Sequence, residues 1–204
     1  MALNLKKGQA LSLAKGVKFA LIGLGWNCGR ENVDLDASAF LLCANGKCDS
    51  DNDVVFYGMD DSLDHCHPSG GVRYGGDSLT GGNGATDDEQ LFVDFDKIPS
   101  YITEIDITIT IYHWKSRQQT FGKVKSAYCR IVSTDSAWKP DGNQELRFDL
   151  KEDDYLQATS MLIAKLIRSG NVWSFKAVGE GYKNSGFREL AVERGLECQP
   201  GGDD

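Results

Sequence analysis

Ile105-Asp106-Ile107-Thr108-Ile109-Thr110-Ile111 alternates a branched apolar side chain with a polar one. Successive side chains of an extended chain point to opposite faces, so this run reads as a strand with one buried face. A strand of that kind needs a second apolar layer. The same reading predicts strands at 17–24, 35–43, 54–57, 90–95, 104–112, 126–132, 145–150 and 172–178, the last with Trp173, Phe175 and Ala177 on one side. The composition of 23 Gly against 4 Pro suits short strands joined by tight turns. Helices are expected at 154–168, where Tyr155, Thr159, Leu162 and Leu166 form one stripe, and at 187–194, closed by Gly195. The expected fold is mainly β, a two-sheet β-sandwich with a few peripheral helices. Residues 1–195 are read as one domain and 196–204 as a flexible C-terminal tail.

The charge is concentrated. The chain carries 30 acidic and 22 basic residues, a net charge of −8. Of these, 12 acidic residues and Arg73 alone lie between Cys48 and Asp96, giving −11 there and +3 over the remainder. Such a segment would repel phosphate, which argues against a nucleic-acid partner and for metal ions or basic partners. No apolar run approaches the roughly 20 residues of a membrane helix. No signal-peptide core precedes the first strand, so a cytoplasmic location is expected.

Within this segment, Gly76-Asp77-Ser78-Leu79-Thr80-Gly81-Gly82-Asn83-Gly84 is followed by Asp87-Asp88-Glu89. Calcium takes about six to eight oxygens from carboxylates, carbonyls and water, and a glycine-rich acidic loop can offer them. Asp34 and Asp36, two apart on a strand, share a face and can close the site from another element. The alternative is a solvated acidic loop in which Asp and Gly serve as turn formers. Asp49-Ser50-Asp51-Asn52-Asp53 imitates the start of an EF-hand, but Val54 replaces the required Gly, so an acidic turn is expected.

Other reactive residues admit two readings each. Cys43 and Cys48 flank Ala44-Asn45-Gly46-Lys47, and a type I′ hairpin would set the two thiols opposite one another as a reversible dithiol or as two ordinary reduced cysteines. Asp64-His65-Cys66-His67 crowds nitrogen, sulfur and carboxylate donors that suit zinc or copper, or forms a polar loop. A metal-dependent hydrolase would use Ser62 or Cys66 beside His65 and His67, yet no nucleophile elbow, phosphate loop or dinucleotide fingerprint accompanies them. The chain is therefore read as a non-enzyme.

Seven blocks remain: Gly23-Leu24-Gly25-Trp26; Asp34-Leu35-Asp36-Ala37-Ser38; Gly76-Asp77 with Leu79-Thr80-Gly81; Asp87-Asp88-Glu89-Gln90; Arg117-Gln118-Gln119-Thr120-Phe121-Gly122; Ala177-Val178-Gly179 with Gly181-Tyr182; and Gly186-Phe187-Arg188-Glu189-Leu190-Ala191. In this order the chain resembles the TerD family of tellurite-resistance and general stress proteins over nearly its whole length. The resemblance implies a cytoplasmic, non-enzymatic β-sandwich that binds one or two calcium ions as an ion-dependent scaffold or sensor. It assigns metal ligation to Asp34, Asp36, Asp77, the Leu79 carbonyl, Asp87, Asp88 and Glu89. Possible partners are other stress-response or membrane-associated proteins; the alternative function is a calcium-dependent membrane- or ligand-docking module. Ser78 stands where the family has Asn, and the link from Gly81 to Asp87 is one residue longer and poorer in acids, so weaker calcium binding is expected.

Overall fold

The isoleucine run falls in the middle of a sheet and is covered on both faces. The structure, a computed structural model, describes residues 2–59, 64–76, 86–134, 144–151 and 155–197. One sheet has the order β1 (Leu3–Asn4), β10 (Gln144–Asp149), β9 (Ser126–Thr134), β3 (Phe19–Asn27), β7 (Glu89–Asp94), β6 (Val72–Tyr74). The other has the order β2 (Ala10–Ser12), β12 (Val172–Tyr182), β11 (Ser160–Ser169), β8 (Ile102–Ile111), β4 (Leu35–Cys43), β5 (Val54–Val55). Apart from the parallel β1–β10 pair, neighbouring strands are antiparallel.

Ile105, Ile107, Ile109 and Ile111 of β8 join Ala37, Ala39 and Leu41 of β4 and Ile22, Leu24 and Trp26 of β3 in one core between the sheets. The expected two-sheet sandwich is therefore the observed architecture. The opposite face of β8 is buried too. Asp106, Thr108 and Thr110 lie there beneath a third layer, in which α2 (Phe187–Glu193) packs Leu190 and Ala191 on Phe40, Leu42 and Val54. The Phe187 ring stacks 4.3 Å from that of Phe56.

A polar anchor fixes this layer. Arg194, just past α2, donates from Nη2 and Nε to Asp106 Oδ2 at 2.7 and 2.9 Å, while Lys165 Nζ stands 3.1 Å from Oδ1. The alternation that exposes the strand in the sequence thus sets a carboxylate on the face that receives the helix.

Three expectations change. The helix expected at 154–168 is strand β11. Its register shifts between Leu162 and Ala164, a bulge that puts Met161, Ile163, Ala164 and Leu166 all in the core. That bulge, with Leu162 buried on the other face, removes the period-2 signature and leaves a helix-like spacing. A four-residue helix, α1 (Trp114–Arg117), follows β8 where none was expected. Leu196, assigned to the tail, is buried against the α2 layer; residues 198–204 lie outside the described part of the chain.

Breaking the Arg194–Asp106 pair leaves a buried carboxylate under-compensated. Arg194→Leu should cost on the order of 3 kcal/mol and lower the melting temperature by roughly 6–12 °C. A melt indistinguishable from that of the parent chain would show that α2 is held by apolar packing alone.

Candidate metal centre

Four of the seven expected ligands lie toward one end of the sandwich, at the starts of β4 and β7. Asp36 lies at the start of β4, paired with Thr110 of β8, and Asp34 immediately precedes the strand. The Asp34 carbonyl accepts the Tyr112 N–H at 3.0 Å, and Arg117 Nη1 stands 3.8 Å from its carboxylate. Asp88 is tied to the end of β3 twice: its N–H donates to the Leu24 carbonyl at 2.7 Å, and its Oδ2 accepts the Trp26 N–H at 2.8 Å.

Glu89 makes the decisive connection. It points inward from β7 with Leu91 and Val93, is 1% exposed, and accepts the Ala37 N–H at 2.6 Å. β5 pairs only with Ala39 and Phe40, so the Ala37 N–H lies beyond its end and takes the carboxylate instead of a strand carbonyl. Glu89 of one sheet is thereby hydrogen-bonded to the residue after Asp36 in the other.

Asp87 departs from this group. Its Oδ1 accepts from the Tyr128 hydroxyl at 2.9 Å and Arg130 Nε at 2.8 Å, and its Oδ2 from Arg130 Nη2 at 2.8 Å and Gln90 Nε2 at 3.1 Å. Arg130 also reaches Glu145 at 3.2 Å. This bidentate pair lies on the outer face of the first sheet, over β3. A Cβ at Gly23 would meet the Asp87 carboxylate at 2.3 Å, and one at Gly25 the Tyr128 ring at 2.5 Å. The two glycines are therefore spacers that let a carboxylate and a phenol lie on the strand. Burial and the Asp87 charge push the Tyr128 hydroxyl well above the usual tyrosine range. The hydrogen bonds that Arg130 donates to Asp87 likewise raise the guanidinium. Arg130 and Tyr128 carry no motif of their own; the available signal was the smooth Gly-Leu-Gly strand beside an acidic cluster.

Asp77 and Leu79 lie outside the described residues. Among the described residues, no three His, Cys, Asp or Glu side chains approach closely enough to hold an ion. The donors that do gather here are carboxylates, a chemistry that suits a hard cation such as calcium over zinc or copper. A full shell would need oxygens from beyond the described residues or from water.

The other candidate sites resolve differently. His67 donates or accepts at Asp53 Oδ1 (3.0 Å) through Nε2 and at Ser69 Oγ (2.7 Å) through Nδ1, so both ring nitrogens are engaged in a buried network. The order Asp53, His67, Ser69 has the composition of a hydrolytic triad. Ser69, however, is two residues from His67 in one turn, and its hydroxyl accepts the Gly71 N–H. Asp53 Oδ2 caps the Asp49 and Ser50 N–H groups, which makes 49–53 the expected acidic turn. Ser62 lies outside the described residues.

The Cys43 hairpin also differs from the expected type I′ turn. Cys43 N–H donates to Lys47 and Gly46 N–H to Cys43, a three-residue loop with Gly46 at φ +74°. Cys48 therefore falls past the paired position, its N–H bonded to the Arg194 carbonyl. Burial, with Asp53 adding to it, pushes the Cys48 thiol up to about 12, and burial also raises Cys43, Cys28 and Cys129. A dithiol reactive at neutral pH is not what these environments favour.

Two predictions follow from this geometry. Gly23→Ala should destabilise the fold by about 1–3 kcal/mol, read as a lower urea midpoint, because the Asp87–Arg130 pair has nowhere to move. An unchanged midpoint would mean that the pair is mobile. Folded thiols that hold their protons above the unfolded value of about 9 give stability that is complete below that pH and is lost as pH rises, for Cys48 until about 12. Urea unfolding between about pH 8 and pH 11 should show a decline of up to about 1.4 kcal/mol per pH unit for each such thiol, shallower in Cys48→Ala.

Comparison with known proteins identifies the family and the fold. The TerD domain family model matches residues 1–193. General stress protein 16U of Bacillus subtilis (strain 168) is 38% identical over 97% of this chain and 99% of its own length. Tellurium resistance protein TerD of Serratia marcescens is 38% identical over 97% of this chain and 100% of its own. The crystal structure of a telluride resistance protein (TerD) homologue from Streptomyces coelicolor A3(2) superposes with a TM-score of 0.61 at 20% identity, covering 86% of this chain and 96% of that one, and shows the same fold. The chain belongs to the TerD family, whose members include proteins named for tellurium resistance and for general stress.

Proposed function

We propose that this chain is a calcium-binding protein that acts as an ion-dependent scaffold or sensor in a stress response of the tellurium-resistance type, and that it is not an enzyme. The observation that carries the reading is that the Glu89–Ala37 hydrogen bond joins the start of β7, with Asp88 and Glu89, to the start of β4, with Asp34 and Asp36, and that Asp34, Asp36 and Glu89 are buried there. Buried carboxylates are costly unless they are compensated, and a divalent cation bound beside them would supply that compensation. Asp77 and the Leu79 carbonyl are proposed to complete the shell. Asp87 is assigned to Arg130, which holds the acidic segment on β3. An ion bridging the two sheets would rigidify that end, and a partner that reads the ordered surface, a stress-response or membrane-associated protein, would bind only the loaded form.

The absence of catalysis is supported by the environments of the candidate nucleophile and base. Burial raises the Cys66 thiol, and His67 is committed to Asp53 and Ser69. Among the described residues no helix is long and apolar enough to cross a membrane.

Thermal melts of chelator-treated protein test the proposal. Calcium at about 100 times its dissociation constant should add about 2.7 kcal/mol, a rise of roughly 5–10 °C, and magnesium should give less. Asp36→Asn and Asp88→Asn should remove most of that increment, whereas Asp87→Asn should lower the baseline and keep it. A parent chain that shows no saturable, calcium-selective rise would overturn the reading.

A further inference from the structure

The opposite end of the sandwich carries a recess of about 320 Å³, lined by the turn before β3, the start of the 3-10 turn Phe95–Lys97 and the β11–β12 turn. Its floor is aromatic: Phe95 and Trp173, both almost fully buried, pack with ring centroids 5.4 Å apart. Around it stand Lys15, Lys18 and Arg168, with Asp96 as the one lining carboxylate among the described residues. In a chain of net charge −8, a recess with three cations and one acid is not background. Asp94, two residues before Asp96, is already paired with Lys97 at 3.2 Å.

Arg168 is positioned. Its guanidinium lies 5.4 Å from the centroid of the Trp173 ring, its cross-strand neighbour, and Nη1 donates to the Pro99 carbonyl at 3.0 Å. Stacking and this single bond fix the plane of the fork and leave N–H groups for a ligand, with less ordering cost than a free arginine would carry. Lys15 sits in the turn Ala14–Val17, closed by a bond from the Val17 N–H to the Ala14 carbonyl, and Lys18 follows it; both are exposed. The volume is that of a small-ligand site.

We propose that this recess binds a soluble phosphate monoester with an aromatic or apolar body. The net +2 of the lining matches the dianion, Arg168 offers the planar donor pair that phosphate oxygens accept, and the Trp173–Phe95 floor takes the apolar part. Carboxylates carry half the charge and should bind more weakly. The site owes nothing to calcium and stands at the other end of β3 from the acidic cluster.

Titration of the full chain with phenyl phosphate by calorimetry, at fixed ionic strength set with potassium chloride, tests this. Saturable one-to-one binding is expected, with inorganic phosphate competing more weakly because it lacks the ring. Lys15→Gln and Lys18→Gln, both at exposed positions, should each weaken binding several-fold and together about tenfold or more. Asp96→Asn should tighten it about two- to fivefold by removing a like charge. Arg168→Gln should weaken binding beyond either lysine variant; its melt is read alongside, and should it unfold, the lysine pair decides alone. No saturable binding, equal binding by the double lysine variant, or binding only to vesicles of phosphatidylcholine with phosphatidylglycerol would each overturn the assignment.

Discussion

Glu89 carries its carboxylate from one sheet to the backbone of the other, and a charge with so little solvent contact must be compensated within the protein. The Ala37 N–H supplies part of that compensation, and it is available only because β5 stops short of it. The short edge strand and the buried acid are thus one device. Were β5 to extend to Ala37, the N–H would be paired within the sheet and Glu89 would lose this hydrogen bond. The acidic end of the molecule is organised around this contact, since it fixes the separation of β7 from β4 and so the separation of Asp88 from Asp36.

A second carboxylate shows why neighbouring acids need not act together. Asp87 precedes β7 and turns to the outer face of its sheet, where Arg130 takes it in a fork; Glu89, two residues on, enters the interior. The first anchors the segment and the second crosses to the other sheet. Gly23 and Gly25 make the outer placement possible by sparing the room that side chains would fill. The acidic segment is therefore clamped from both faces of one sheet, and a cation bound beside it would meet a prepared geometry at little cost in ordering.

Much of the fold was legible in the sequence because strands with one buried face keep period 2. β4 was bounded correctly at Leu35 and Cys43, and β8 was evident from its isoleucines. β11 was not legible: a bulge at Ile163 and burial of Leu162 on the second face erase the alternation, and the remaining spacing imitates a helix. Of the site, the types and rough location of the acids could be read, since they are local in sequence. The division of labour between Asp87 and Glu89 could not, because it depends on Arg130 and Ala37, 43 and 52 residues away in the chain. Arg194 on Asp106 was hidden for the same reason, at a separation of 88 residues.

The charge distribution acquires a meaning once it is laid on the sheets. β3 leads from Lys18, just before it at the cationic recess, to Trp26 at the acidic end, eight rises that span about 26 Å at 3.3 Å per residue. At physiological ionic strength the screening length is about 8 Å, so the fields of the two ends are largely independent through solvent. An excess of acid at one end therefore does not cancel the attraction of the other for an anion. β3 and β7 touch both ends, and communication along them would be by displacement of strands and not by charge. Because that pair is held in register over six residue pairs, such a displacement would have to move it as a unit.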